Sequence, residues 1–437
     1  MKIAIFAAAL ALVFIGAGLV HGVDKIEKPP DSISLNADNP AVSGETASAV
    51  EKTEPVYPMS PERKELLSSY SLYKNIWRFI GFAFDVIVFL AILYFGLSGR
   101  MRLWAEAISR KKILVYLFYV LLFMIVMYII YFPISYYTEF VVEHDYGFSN
   151  QTFSEWFADG LKTQAVAFIL IFIVVSVLYW LINKTRRWWL YFSLLAVPFA
   201  VLMIVIVPVV VAPVFNKFEP LQDKNLETDM IQLAHRAGIE NPDVYQVDAS
   251  RQSTKLNAYF TGMFATERIV LYDNIINAFT TDELKYVMGH EIGHYKMYHI
   301  WKGLFIAIVI IFAATWLANR LLPGIIRRNS RRFRFDRLGS VSSLPLLILF
   351  ITIFGFLLQP VTNGISRYQE YRADEYGFKL SGVTIDDTRI TYEKLSAYNL
   401  SDLEPPAFIE FWFYDHPALS KRIENINKYS EQLRSGV

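Results

Sequence analysis

The chain has 437 residues, of which 54% are hydrophobic, and its formal net charge at pH 7 is +1. A mean hydropathy of +0.32 over this length is typical of an integral membrane protein and argues against a soluble one. The near-zero net charge gives no indication of a nucleic-acid partner, and the absence of cysteine excludes disulfides and thiolate metal ligands. Any metal site must therefore use histidine and carboxylate ligands.

The N-terminal residues 1–22 combine one basic residue, Lys2, with the apolar run 3–20. This pattern indicates either a cleaved signal peptide or a first transmembrane helix. Residues 23–70 are then polar and contain several prolines, which is typical of an exported linker and slightly favours cleavage.

Six further apolar segments are long enough to cross a bilayer as helices. They are residues 76–97, 113–132, 165–182, 189–211, 300–322 and 344–358 with its helical flanks. Asp85, inside the first of them, is expected to face protein or water and not lipid. The sequence thus predicts a mainly α-helical, polytopic protein that lies in a lipid bilayer.

Three of the loops between these segments are strongly basic, and all three fall on one side of the predicted membrane. Their basic residues are Arg100, Arg102, Arg110, Lys111 and Lys112, then Lys184, Arg186 and Arg187, and finally Arg327, Arg328, Arg331, Arg332, Arg334 and Arg337. By the positive-inside rule this side is cytoplasmic, so we expect residues 133–164, 212–299 and those from 361 onwards to be extracytoplasmic. We expect the membrane to be a bacterial inner membrane.

Between the fourth and fifth segments the pattern changes to that of a small soluble region. Leu226, Met230, Leu233 and Ala237 repeat at helical spacing, and Gly238 ends the helix. Short β-type runs follow at residues 244–247, 256–260 and 268–272. The order is therefore a helix, a small sheet and a further helix.

That further helix carries H-E-x-x-H as His290, Glu291 and His294, after a capping-box pattern at Thr280 and Glu283. The two histidines lie one turn apart on one face, so they are able to hold one zinc ion. Zinc in a catalytic site keeps a position for water, whose proton Glu291 is placed to accept. The alternative interpretation is a polar helix face with unrelated histidines.

A second acidic pair follows the last apolar segment. Glu370 and Asp374 are one helical turn apart, so Glu370 is able to supply a third oxygen ligand and Asp374 to accept a hydrogen bond from a ligating imidazole. Taken alone, the pair favours a charged helix face stabilised by Arg367 and Arg372. Together with H-E-x-x-H it favours a metal site.

The chain resembles the type I CAAX prenyl endopeptidases, which are polytopic membrane zinc metalloproteases with H-E-x-x-H and a downstream E-x-x-x-D. The resemblance extends from about residue 76 to the C-terminus. It includes FPISYYTEFVVEHDYGFSNQTFSEWFADGLK (132–162), PVFNKFEPLQD (213–223), LNAYFTG (256–262), ERIVLYD (267–273) and YDHPALSKRI (414–423). It implies a helical transmembrane chamber with a zincin-like metalloprotease domain that contains a small β-sheet.

The resemblance also implies the roles of individual residues. One Zn²⁺ per chain is ligated by His290, His294 and Glu370, with Glu291 as general base. The predicted organisation is then a signal or first helix (1–22), a linker (23–70), four membrane helices with one extracytoplasmic loop (71–212), the catalytic region (213–299), two membrane helices (300–360) and a C-terminal region with the third ligand (361–437).

Four other residues receive roles from the same resemblance. Asn257 and Ala258 on the edge strand hold the backbone of a polypeptide substrate, while His416 and Arg422 stabilise the oxyanion or orient the site. For His416 the alternative is a helix start before Pro417. His299 is interpreted as a helix-face or interfacial histidine, because zinc already has three ligands. The remaining histidines, His21, His144 and His235, have no motif partner.

The basic loops place the predicted site outside the cytoplasm, whereas prenylated CAAX substrates are cytosolic. The sequence therefore predicts a zinc metalloendopeptidase with CAAX-protease-like chemistry that acts on exported or quality-control substrates. Two alternatives remain open: a non-enzymatic membrane scaffold or chaperone, and a true CAAX prenyl protease.

Overall fold

A computed structural model describes residues 58–262 and 267–435. The expected signal or membrane segment at residues 1–22 lies outside this part of the chain. The helices are α1 (Pro61–Tyr94), α2 (Leu97–Ile108), α3 (Lys112–Ser135), α4 (Phe153–Lys184), α5 (Trp188–Ile206), α6 (Lys224–Arg236), α7 (Asp273–Ala278), α8 (Thr281–Lys296), α9 (His299–Phe333), α10 (Leu344–Ser381), α11 (Ile385–Asn399), α12 (Ala407–Phe413) and α13 (Leu419–Ser435).

Two of the long helices continue beyond these bounds in altered geometry. A π-helical turn (Tyr136–Val141) carries α3 into a last α-helical turn, Val142–Asp145, and another π-helical turn (Val207–Val211) carries α5 into the 3₁₀ turn Ala212–Val214. In the described residues, α1, α3, α4, α5, α9 and α10 are long and apolar enough to span a membrane. The prediction of six spans after the N-terminal segment is confirmed.

Inside the helical bundle, several polar groups are paired within the protein. Asp85 on α1 accepts a hydrogen bond from the hydroxyl of Tyr131 on α3 at 2.6 Å, so it faces protein as expected. On the side of the basic loops, Ser98 of α2 contacts both the Tyr119 hydroxyl (2.6 Å) and the Ser342 carbonyl (2.7 Å). These bonds tie α2 to α3 and to the start of α10.

The first long helix begins earlier than the sequence indicated. Residues 61–70, expected to be linker, form the first turns of α1. Ser60 caps the helix by accepting a hydrogen bond from the Arg63 backbone N–H at 3.2 Å, and a proline at the first helical position suits this start. Tyr70 is buried against Phe148 and Leu400, and this apolar contact packs the first turns of α1 against the rest of the protein.

The soluble region contains one four-stranded mixed sheet. Its strands are β1 (Phe218–Pro220), β2 (Asp243–Val247), β3 (Ala258–Thr261) and β4 (Arg268–Tyr272), in the order β1-β2-β4-β3. β2 is parallel to β4, while β1 and β3 are antiparallel to their neighbours. Three of these strands match the predicted β-type runs, and β3 lies at an edge of the sheet as expected. The sheet packs on α6 and α8 through a buried apolar core.

Candidate metal centre

The H-E-x-x-H segment is helical, as predicted. α8 begins with the expected capping box: the Thr280 hydroxyl accepts from the Glu283 backbone N–H at 3.4 Å, and the Glu283 carboxylate accepts from the Thr280 N–H at 2.7 Å. Glu283 also pairs with Lys394 of α11 at 2.8 Å. The start of the helix is therefore fixed both locally and against the C-terminal region.

Three ligand atoms converge between α8 and α10. His290 Nε2 lies 3.1 Å from His294 Nε2, and the Glu370 carboxylate lies 3.3 Å from the first and 3.2 Å from the second. Ligand atoms of all three residues fall within 4.8 Å of one another. The side chains are buried, with Glu370 only 3% exposed. The sequence prediction of these three residues as one cluster agrees with this geometry.

A glycine contact sets the separation of the two helices that carry the ligands. A Cβ atom built on Gly377 of α10 would lie 2.5 Å from the backbone nitrogen of His290, and one built on Gly289 would lie 3.0 Å from the Gly377 carbonyl oxygen. Only glycine allows backbones to approach so closely. The contact brings the Glu370 turn of α10 within bonding range of the α8 imidazoles.

The partners of the imidazole Nδ1 atoms determine what the cluster can hold. His290 Nδ1 lies 2.8 Å from Asp374 Oδ1, a carboxylate oxygen that can only accept. His294 Nδ1 lies 3.0 Å from His299 Nδ1. When His290 and His294 both donate from Nδ1, both Nε2 lone pairs point at the Glu370 carboxylate. A buried set of facing acceptors fits a divalent cation.

His299 lies on a helix and outside the three-residue cluster, but it has a closer relation to the cluster than its sequence position indicated. The residue is 4% exposed, and its Nδ1 contacts that of His294, so its helix face is buried against the cluster. Its position depends on Tyr298, which takes the left-handed conformation (φ 58°) between α8 and α9. That single residue redirects the chain so that the first side chain of α9 returns to the cluster. Spacing within H-E-x-x-H gives no signal for this turn.

Burial alone would lower the pKa of His290, but hydrogen bonds to Asp374 and Glu370 outweigh it and raise the pKa to about 9. Metal binding therefore has to displace a proton from His290, so the affinity for a metal ion falls as the pH falls below that value.

Asp374 is held by a buried arginine. The Arg422 guanidinium donates from Nε to Asp374 Oδ2 at 2.8 Å and from Nη2 to Asp374 Oδ1, and it stacks 4.8 Å over the Tyr392 ring. Asp374 is 0% and Arg422 7% exposed. Arg422 Nη2 also lies 3.3 Å from His290 Nδ1 and 3.6 Å from Glu370 Oε2, so Arg422 contacts the cluster as well as orienting Asp374 and through it the imidazole.

His416 and Glu291 flank the cluster. His416 Nε2 lies 3.4 Å from Glu370 Oε2, while its Nδ1 lies 2.9 Å from the Asp415 carboxylate. Glu291 Oε1 lies 3.9 Å from His290 Nε2. The His416 side chain is 38% exposed and that of Glu291 15%, so both reach the open side of the site.

Asn257 and Ala258 occupy the start of the edge strand. Ala258 is the first residue of β3, and the Asn257 carbonyl accepts from the Tyr272 N–H at 3.2 Å, which extends the β3–β4 pairing by one step. By contrast, His144 and His235 bond to backbone carbonyls away from the cluster, in agreement with their lack of a motif partner.

Replacing His299 by phenylalanine is expected to weaken metal binding about 10- to 100-fold, because His294 loses the group that fixes its tautomer. His299→Gln keeps an acceptor and should recover part of the loss. Equilibrium dialysis of metal-free protein against Zn²⁺ measures this, with His235→Phe, an exposed histidine, as the matched control. Equal affinities for His299→Phe and the unsubstituted protein would contradict this role.

Comparisons with known proteins agree with the arrangement. Residues 220–430 match the family described as Peptidase family M48, and residues 57–217 match CAAX prenyl protease N-terminal, five membrane helices. The chain is 33% identical to the uncharacterized metalloprotease YhfN of Bacillus subtilis over 89% of this chain and 92% of that protein. It is 32% identical to CAAX prenyl protease 1 of Saccharomyces cerevisiae over 69% and 70% of the two chains.

The fold is also similar to that of a solved structure. The crystal structure of S. mikatae Ste24p superposes on this chain with a TM-score of 0.69 at 23% sequence identity. The superposition covers 84% of this chain and 100% of the Ste24p chain. This likeness agrees with the expected combination of a helical membrane region and a small mixed sheet.

Proposed function

The chain belongs to peptidase family M48 and is a membrane metalloprotease, and from this premise we propose that it is a zinc endopeptidase acting at the extracytoplasmic membrane boundary. One observation carries the proposal. His290, His294 and Glu370 bring three ligand atoms together while the Glu291 carboxylate lies beside them on the open side. A polypeptide is the substrate, and exported or quality-control proteins are its source.

Zinc is the ion that this donor set fits best. Two imidazole nitrogens and one carboxylate oxygen form the ligand set of catalytic zinc sites in peptidases, and such sites leave one position open. When bound, zinc acts as a Lewis acid on the scissile carbonyl and lowers the pKa of water in the open position. One Zn²⁺ per chain is expected.

The side chains around the metal site have separate roles in the proposed reaction. Glu291 accepts a proton from the attacking water and delivers it to the leaving amine. His416, on the open side 3.4 Å from Glu370, donates to the developing oxyanion. Arg422 and Asp374 hold the His290 imidazole in the Nδ1–H tautomer, so that its Nε2 stays available to the metal.

The edge strand β3 supplies the binding surface for the substrate backbone. It pairs with β4 on one side, and its other edge carries no strand of the described residues. We infer that an extended peptide adds to this edge through backbone hydrogen bonds, with Asn257 and Ala258 holding its backbone. Binding through the backbone makes the site tolerant of many sequences.

Removal of the metal is expected to abolish hydrolysis. Dialysis of the purified protein against a chelator should reduce peptide cleavage to background, and one equivalent of Zn²⁺ per chain should restore it, since no other residue replaces the ion. Cleavage is followed by mass spectrometry, and metal content by elemental analysis. Undiminished cleavage by metal-depleted protein would contradict the proposal and favour a non-enzymatic scaffold.

The basic loops are the reason for proposing that the site lies on the extracytoplasmic side of the membrane. The test is a reporter enzyme that works only outside the cytoplasm. When it is fused after residue 437, we expect reporter activity. The same reporter inserted between α2 and α3, where Arg110 and Lys111 lie, should be inactive and serves as the control. The opposite pattern would place the site in the cytoplasm.

A cytoplasmic site would favour the second candidate, cleavage of prenylated CAAX proteins. The similarity to yeast CAAX prenyl protease 1 supports this candidate, while the arginine distribution opposes it. Cleavage of a prenylated peptide much faster than of its unprenylated counterpart would decide for this candidate.

A further inference from the structure

Three cationic side chains lie together beside the start of the edge strand. Lys74 and Arg78 are one turn apart on α1 and so share a face. Lys255 lies two residues before Asn257. Tyr70 stands between the lysines: its ring centroid is 4.9 Å from Lys74 Nζ, and its hydroxyl is 3.5 Å from Lys255 Nζ. Lys74, Arg78 and Lys255 are called the basic cluster below.

Arg78 extends the basic cluster to the other wall of the site. Its guanidinium carbon lies 4.8 Å from the Tyr414 ring centroid and 5.4 Å from that of Phe413. Tyr414 directly precedes Asp415, whose carboxylate bonds to His416. The basic cluster therefore reaches from the N-terminal end of β3 to the segment that carries His416.

The basic cluster has more positive than negative charge. Glu143 pairs with Lys255 at 3.0 Å, and Asp415 interacts electrostatically with Arg78, but neither Lys74 nor Arg78 forms a salt bridge with a carboxylate of the described residues. Arg78 Nη1 is buried and has no hydrogen-bond partner in that part of the chain. A buried donor without a partner is costly, so it points to a group that arrives from outside. Lys74 is exposed and remains accessible to such a group.

The direction of a bound substrate decides which part of it meets these cations. Antiparallel pairing is slightly more stable per residue than parallel pairing, so we take a peptide to run antiparallel to β3. The residues on the C-terminal side of its cleaved bond then run towards the N-terminal end of β3. That end continues back to Lys255, and so to the basic cluster.

We propose that Lys74, Arg78 and Lys255 bind a carboxylate on the C-terminal side of the bond that is cleaved. This rests on the proposed peptidase function and adds a preference among polypeptides. The carboxylate comes either from the C-terminus of the substrate or from an aspartate or glutamate side chain near the cleaved bond. A guanidinium and an ammonium group with Tyr70 alongside provide charge-assisted donors for it.

Matched peptides test the proposal. One peptide ends in a free carboxylate, a second is its C-terminal amide, and a third is the amide with one aspartate placed after the cleaved bond. For the unsubstituted protein we expect kcat/KM to be about tenfold or more higher for the acidic peptides than for the plain amide, as a charge-assisted bond implies. In Lys74→Gln and Arg78→Gln this ratio should fall to about one.

Two further variants complete the design. Lys428→Gln removes an exposed lysine on α13 and should leave the ratio unchanged. Lys74→Glu should reverse the preference in favour of a peptide with lysine in place of the aspartate, which loss of folding would not produce. Equal rates for acidic and neutral peptides in the unsubstituted protein, or an unaltered ratio in both glutamine variants, would overturn the proposal.

Binding is measured separately from cleavage. Fluorescence anisotropy of the same labelled peptides on Glu291→Gln protein reports carboxylate preference even where no peptide is cut. A preference in binding that disappears in Lys74→Gln, without cleavage by the unsubstituted protein, would retain the carboxylate site and reject the peptidase function. Cleavage without any preference in binding would retain the peptidase function and reject the carboxylate site.

Discussion

A Glu291→Gln variant will lose peptide hydrolysis by about 10³-fold while it keeps its metal ion, since a positioned general base contributes about 10²- to 10⁴-fold. Glutamine matches the shape of glutamate but cannot accept the proton of the attacking water. His290, His294 and Glu370 are untouched, because Glu291 lies 3.9 Å from His290 Nε2 on the open side. The measurements are single-turnover cleavage and metal content of the same preparation.

Glu424→Gln is the matched control for this variant. Glu424 is exposed on α13, where it pairs with Lys428, so its loss should leave both activity and metal content unaltered. Full activity of Glu291→Gln would reject Glu291 as the base. Loss of the metal together with activity would show that Glu291 contributes to ligation.

An Arg422→Met variant will lose about 3–5 kcal/mol of stability, because it leaves the buried Asp374 carboxylate without its partner. The affinity for Zn²⁺ should fall about 10- to 100-fold as well, since Asp374 then no longer orients His290 firmly. Denaturant unfolding in detergent and dialysis against Zn²⁺ measure the two effects.

The double variant Asp374→Leu with Arg422→Met separates pairing from packing. Because it removes both charges together, its loss of stability should be smaller than the sum of the single losses. Its affinity for Zn²⁺ should remain low, since His290 has no acceptor for its Nδ1 proton. Additive losses of stability would show that the two side chains do not act as a pair.

Much of the fold and of the metal cluster follows from local patterns. The apolar lengths predict six spans because the bilayer sets the length of a helix that crosses it. His290 and His294 share a face because they are four residues apart on a helix with a recognisable cap. The prediction of Glu370 as a third ligand needed more than spacing. It was favoured only because the E-x-x-x-D pair and the H-E-x-x-H motif occur in the same chain.

The rest depends on contacts between distant segments. His299 reaches His294 through one residue in the left-handed conformation, which no periodicity indicates. Gly289 and Gly377, which are 88 residues apart along the chain, bring their two helices into contact, and neither glycine lies at a turn. The basic cluster combines α1 with the approach to β3, and no local sequence pattern connects Lys74 and Arg78 with Lys255.

The position of the ligands at the ends of one membrane hairpin has a consequence for the turnover of the protein. α8 leads into α9 and Glu370 lies on α10, so a bound ion links the two arms of that hairpin outside the apolar layer. An ion that binds only the assembled pair adds to its resistance to unfolding in proportion to the logarithm of the ion concentration. Chains without a bound ion are therefore expected to open more readily than chains that hold one.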